Sequence, residues 1–210
     1  MASKVDICNM ALSHVGAYRI QSITENTKEA RECNAFYEIA LNGVLEGHDW
    51  GFARKRESLA LLTITYTGWD YAYQYPIDCV SPRMILDEDG SLTGTSWDFN
   101  LDKYKAVGRV KYEIAVNDAL NSRVILTDQA DAELVYTAKV TDTNLFTFEF
   151  IEMFALKLAV YLAQPLKGDM QMKSGLMQLY AAFKLDAQGN DANADYNKEE
   201  DYNTFVQARR

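Results

Sequence analysis

The chain is poor in the residues that most often carry chemistry. Its 210 residues include two histidines and three cysteines. Cys8, Cys33 and Cys79 stand far apart, with no Cys-x-x-Cys pair and no ligand cluster, which argues against a structural metal site. Cys8 and Cys33 fall on apolar faces of helical patterns and read as small core residues in a reducing compartment. Basic charge is also short. Lys and Arg total 21 against 30 Asp and Glu, giving a net charge of −9 and a pI near 4.8, the wrong balance for a simple DNA-binding domain. No run of about 18 apolar residues is present, so no membrane span is expected. The first residues lack the apolar stretch of a signal peptide. Hydrophobic residues make up 48% and charged residues 24%, ordinary for a soluble globular protein. At this length, and with no internal repeat, the expectation is one domain or one domain with a sizeable insertion.

What is present begins with two helical patterns. Ser3 followed by Asp6 is an acidic form of the capping box. Val5, Cys8, Leu12 and Val15 then repeat at helical spacing, and Gly16 supplies a stop. Asn26 and Glu29 repeat the capping geometry before a second amphipathic helix, with Ala30, Cys33, Tyr37, Ala40, Leu41, Val44 and Leu45 on one face and Lys28, Arg31, Glu38 and Asn42 on the other. It ends near Gly47. Trp50 and Phe52 follow and, with Tyr37 and Phe154, are expected to anchor the core. His48-Asp49 reads as a solvated helix exit, because acid–base work needs converging partners and none is marked. Arg54-Lys55-Arg56 reads as a solvated turn, with contact to an acidic partner or a phosphate backbone as the alternative.

The middle of the chain changes period. Ser58 to Tyr66 is apolar and β-branched, as a strand should be. Trp69, Tyr71, Tyr73 and Tyr75 alternate, which puts all four on one sheet face. That face packs on a core or, alternatively, stacks sugars or bases. Further strands are expected at Arg83–Leu86, Ser91–Leu101, Lys103–Ile114, Arg123–Thr127 and Asp131–Val140, mostly joined as antiparallel hairpins. Asp87-Glu88-Asp89-Gly90 shares the start of a calcium loop but lacks the rest of that pattern, so it reads as an acidic turn. After Asp142 and Thr143, Phe148, Ile151, Ala155, Leu158 and Leu162 mark a helix apolar nearly all round, expected to be central and to break or kink at Pro165. Met172, Leu176, Leu179 and Phe183 mark another. Beyond Asp186 the composition turns polar and acidic, with Tyr196, Tyr202, Phe205 and Val206 spaced through it. That stretch cannot bury enough surface to fold alone. It reads as an arm that orders on a partner, with those four residues as anchors.

These patterns give an α+β expectation. A helical bundle is built from N-terminal helices (1–57) and C-terminal helices (142–185), a mostly antiparallel β-region (58–141) is inserted between them, and 186–210 forms an extended C-terminal arm.

Three blocks of the sequence resemble one family. The first holds Cys8, Asn9, Ala11, Leu12, Gly16, Ile20, Ile23, Glu25, Glu29, Ala30, Cys33, Tyr37, Leu45, Trp50, Phe52, Ala53, Arg56 and Leu59. The second is Ala72-Tyr73-Gln74-Tyr75-Pro76-Ile77-Asp78-Cys79. The third is Ala132-Glu133-Leu134-Val135-Tyr136-Thr137. Together, and in this order, they resemble the head-to-tail adaptor proteins of tailed phages, the tail tubular protein A group. The resemblance spans about Val5 to Phe183. It implies a virion structural protein without catalytic, cofactor or metal residues, located at the head–tail junction after assembly in the host cytoplasm. Twelve copies would ring the DNA channel, the bundle docking on the portal protein and the sheet region facing the tail nozzle or next tail protein. The arm would lie along the portal or a neighbouring copy. A net charge of −9 per copy suits DNA passing through without tight binding during ejection, since cationic phosphate contacts are what make such binding tight. Two alternatives stand beside it, a distal tail component and a glycan hydrolase acting as the particle enters its host. The latter would need two carboxylates about 5–10 Å apart, one with a raised pKa.

Overall fold

The computed structural model describes residues 2–86, 110–118 and 121–194, with side chains described as far as Asp191. The expected region at 87–109, which includes the acidic turn and the Trp97 and Phe99 strand, lies outside them. So do the anchors Tyr196, Tyr202, Phe205 and Val206. The described residues form an α+β arrangement of four α-helices and two small antiparallel sheets.

Helix α1 spans Lys4–His14 and starts with the full reciprocal capping box. Asp6 N donates to Ser3 Oγ at 3.1 Å, and Ser3 N donates to Asp6 Oδ2 at 2.8 Å. The hydroxyl and backbone N–H of Ser3 hold the Asp6 carboxyl below its ordinary value. Gly16, at φ 62°, reverses the chain beyond the helix, where a side chain would be strained. The connector is then tied down by Asn9, whose amide donates to Ile20 O at 2.9 Å and accepts from Ile20 N at 2.8 Å. Helix α2 spans Lys28–Glu46 and is capped by Thr27, not Asn26. The Thr27 hydroxyl is the group that reaches Ala30 N, at 3.2 Å.

Helix α3 (Phe148–Lys167) is the centre of the helical part and touches α1, α2 and α4 (Met170–Ala194). Ten of its residues are buried, on every side of the helix. Its N-cap is Thr147, while Asp142 caps a separate 3-10 turn at Thr143–Leu145. Pro165 does not break it. The ring sits in the last turn, where only one backbone hydrogen bond is forfeited before Gly168 ends the helix at φ 67° and donates to Gln164 O. Trp50, Phe52, Phe146, Phe150 and Phe154 fill the base of this core with ring contacts of 4.8–6.5 Å. Tyr37 meets Phe154 edge-on at 5.0 Å.

The first sheet has the order β1 (Arg54–Ser58), β6 (Glu133–Ala138), β3 (Cys79–Leu86). The second has the order β2 (Tyr71–Gln74), β5 (Ser122–Thr127), β4 (Tyr112–Asn117). Every pairing is antiparallel, yet β4–β5 is the one short hairpin among the described strands. The first sheet closes over long sequence separations instead. Leu59, Tyr73, Tyr75, Cys79, Ile85, Ile125, Leu134 and Tyr136 form a small core between the two sheets.

Two strand expectations shift. The strand falls on the charged segment Arg54–Ser58 rather than on Ser58–Tyr66. The apolar residues after it wrap the second sheet, with Leu59 in the inter-sheet core and Leu62 and Tyr66 against Ala72, Val124 and Leu126 on the far side. Only Leu59 is buried by this wrapping, Leu61 stays exposed, and only isolated bridges such as Leu61 to Tyr73 form. Trp69 does not share the face of Tyr71 and Tyr73. A tight turn at Gly68 (φ 88°) precedes β2 and delivers Trp69 to the opposite side.

Candidate functional site

Between α2 and β1 the chain turns within residues 47–53, and other elements grip that turn from both sides. The last carbonyls of a helix lack intrahelical donors. Here β3 supplies them, because Arg83 Nη2 lies 3.3 Å from Leu45 O, 3.2 Å from Glu46 O and 2.5 Å from His48 O. Its Nε donates to Thr137 Oγ1 at 2.8 Å, which fixes the guanidinium against β6. A cation at this end of α2 also suits the helix dipole. Burial pulls the Arg83 pKa down, while the nearby Asp49 carboxylate works against that shift. Asp49 also accepts from Arg54 Nε at 3.1 Å. His48-Asp49 is therefore not a solvated helix exit, since both residues are engaged in the turn.

From the other side comes α4. Asp191 Oδ2 lies 3.1 Å from His48 Nε2, and the same carboxylate accepts from Gly51 N at 3.2 and 3.3 Å. Gln188 Nε2 donates to Gly47 O at 3.3 Å. Trp50, 1% exposed, is pinned between them by its indole N–H on Val44 O at 3.0 Å and by the His48 ring at 4.7 Å. The stretch expected to leave the body at Asp186 thus continues as helix to Ala194 and contacts the turn. Of the four expected core anchors, Trp50, Phe52 and Phe154 gather in the aromatic cluster under this turn, and Tyr37 packs one layer above.

The basic run is likewise a strand with partners rather than a solvated turn. Arg56 forms a two-pronged pair with Glu133. Lys55 Nζ lies 3.0 Å from Asp78 Oδ2 and 3.1 Å from Glu57 Oε2. The Tyr136 hydroxyl sits 2.8 Å from both Glu57 Oε2 and Asp78 Oδ1. Hydrogen bonds from Tyr136 and Lys55 depress Glu57. Burial raises Asp78, but Lys55 and Tyr136 outweigh it and leave it depressed. Lys55 is pushed up by Asp78 first, and Tyr136 by burial first. This pair of acids is thus tuned toward ionisation, opposite to the protonated acid that glycoside cleavage needs. What the cluster does is lock β1, β6 and the Pro76–Cys79 turn together.

The outward face of α4 is the remaining candidate surface. Met170, Gln171, Ser174, Gly175, Met177, Gln178, Leu179, Ala181, Ala182, Leu185, Gly189 and Asn190 are exposed there, and Asp186 is the one charged residue among them. This face mixes apolar with neutral polar side chains and carries little of the net charge of −9.

Arg83, Gln188 and Asp191 were not singled out by sequence. Arg83 stood in an apolar strand pattern after Pro82, where a lone charge was the available signal. Asp191 stood in a stretch that reads as tail. Comparison with known proteins finds no matching family model and no matching curated protein.

Proposed function

We propose that this chain is a virion structural protein, a head-to-tail adaptor that rings the DNA channel between portal and tail in a tailed phage. The observation that carries the reading is convergence. The three blocks that resemble the adaptor family lie far apart in sequence yet meet in one connected unit. Arg56 of the first pairs with Glu133 of the third. Leu59 N donates to Ala132 O at 2.9 Å. Ala132 N donates to the Tyr73 hydroxyl of the second block at 3.3 Å, and Tyr136 reaches Asp78. These contacts support the reading by joining the three blocks in one unit; they do not by themselves identify the family.

In this reading α1–α4 form the portal-docking bundle, the low-charge face of α4 meets a neighbouring copy, and the sheets face the next tail protein. The segment after Ala194 is the arm, with Tyr196, Tyr202, Phe205 and Val206 as its anchors. Twelve copies of net charge −9 give the channel an acidic character over which DNA slides. The function is structural rather than enzymatic.

The test is size analysis of the chain mixed with portal rings, comparing full length with a chain ending at Ala194. Ending it earlier would remove Asp191 and disturb the turn itself. Full-length chain should co-elute with portal at a fixed ratio, and the shortened chain should bind at least tenfold more weakly. If neither form joins the ring, the adaptor reading fails.

A further inference from the structure

Helices α2 and α4 both lie along α3 and run in the same sense, so their C-terminal ends come together at the 47–53 turn. There Gln188 Nε2 donates to Gly47 O at 3.3 Å, and a Cβ at Gly47 would stand 3.7 Å from Lys184 Nζ. Further from the turn the two helices flank a partly exposed strip of α3. Phe36 of α2 stacks on Tyr161 of α3, with centroids 5.6 Å apart and planes 3° from parallel. Lys157 Nζ lies 5.4 Å from the centre of the Tyr161 ring and 4.9 Å from that of Tyr180 on α4. Phe36, Tyr161 and Tyr180 are all half-buried, and Ile39 beside them is 53% exposed. The result is a seam between α2 and α4, floored by a row of rings and edged with Lys157 and Lys184. Every lysine ion pair among the described residues involves Lys4, Lys55 or Lys139, so these two ammonium groups have no carboxylate partner there.

We propose that in the free chain the segment 195–210 folds back into this seam, with Tyr202 on the ring row and Glu199, Glu200 and Asp201 beside Lys157 and Lys184. Reach supports it. The segment starts just after Ala194, at the closed end of the seam. From Ala194 back to Tyr180 is about 21 Å of helix, and residues 195–202 span about 26–29 Å when extended. A returning chain therefore brings Tyr202 level with Tyr180 and Tyr161, after the acidic residues have passed Lys184. Charge supports it as well. Asp195, Glu199, Glu200 and Asp201 stand against one lysine, Lys198, in the half of the segment that would run beside the two lysines of the seam. Offset or edge-on ring contacts and a cation held over tyrosine faces favour an aromatic occupant, and the lysines favour an acidic one. A segment held in this way keeps its anchors occupied, so a partner must displace it from the seam before capturing them.

The fold-back concerns the isolated chain and does not rest on the adaptor reading. The experiment treats the full-length chain with a water-soluble carbodiimide, which joins carboxylates to neighbouring lysines. Monomer is then separated from dimer, and linked peptides are mapped in each. Lys55 and Asp78, 3.0 Å apart, report that the coupling has worked. In the monomer, links from Glu199, Glu200 and Asp201 should concentrate on Lys157 and Lys184. In full-length Tyr202→Ser these links should fall about fivefold, as the loss of one ring contact implies. In the double variant Lys157→Glu and Lys184→Glu, chymotrypsin should cut after Tyr202 about fivefold faster than in the native chain, because cleavage follows the population of the open form. Links absent from the seam lysines while Lys55 couples to Asp78 would overturn the proposal. So would links spread equally over Lys28, Lys111 and Lys139, or an unchanged rate of cleavage in the double variant. Seam links found only in the dimer would overturn it too, making the occupant a second copy. No portal is present in any arm, so failure here leaves the portal test standing.

Discussion

Phe150 and Tyr136 are both fully buried, one at the centre of the helical part and one at the centre of the first sheet. Phe150 packs its ring against those of Trp50, Phe52, Phe146 and Phe154. Tyr136 ends in a hydroxyl shared by two carboxylates beside a lysine. Burial against α3 is non-directional and does not depend on charge screening or on side-chain titration. The sheet part adds to a smaller core a set of ion pairs that respond to both. The two parts meet at residues 47–53, where Arg83 and Asp191 hold the turn. The helical part therefore rests mainly on apolar burial, and the sheet part adds ion pairs that set where its strands sit relative to one another.

The sharpest way to break the comparison is Phe150→Ala. It should cost about 3–5 kcal/mol in chemical denaturation, with the loss unchanged between low and high salt. Next comes Arg83→Ala, which strips the donors from three carbonyls and leaves Asp49 with one fewer partner. We expect about 2–4 kcal/mol, together with faster amide exchange at 47–53, seen by mass spectrometry. A loss of stability without local exchange at the turn would contradict the clamp.

The third test concerns pH. Glu57 and Asp78 have folded pKa values below their ordinary 4.5 and 3.8. A depressed carboxylate contributes stability that is complete above its unfolded pKa and is lost as pH falls through the lower folded one. Acid should therefore loosen the sheet part as pH drops below about 4.5. In Asp78→Asn the acid limb should be shallower, and a limb of unchanged slope would dissociate Asp78 from it. Tyr136→Phe should cost about 1 kcal/mol at neutral pH. The smallest effect belongs to Arg56→Ala on the exposed edge of β1, whose difference from the native chain should vanish in high salt.

The helices were legible because their apolar residues recur at 3.6-residue spacing whatever their partners are. α3 was readable as the central element from its composition alone. Capping was legible only to within one position, since Asn26 and Thr27 are both competent and geometry chose the hydroxyl. The strand at Arg54–Ser58 was hidden because its side chains are satisfied by Glu133 and Asp78, which are remote in sequence and leave no local pattern. The apolar run after it looked more like a strand than the strand did. The turn at 47–53 was legible only in its apolar half. Trp50 and Phe52 announce burial, whereas His48 and Asp49 acquire meaning from Arg83 and Asp191, contacts that no spacing rule connects.

Asp191, near the end of α4, is one of the points through which load on that end enters the body, beside Gln188 on Gly47 and the packing of α4 on α3. From there the load divides at Gly51 and His48. One path runs through the indole of Trp50 into α3, and the other through the guanidinium of Arg83 into β3 and β6. A tug on the end of α4 is thus delivered to the corner where helices and sheets join, not to the middle of either. The molecule is wired so that tension on this end of α4 is felt by both parts at once.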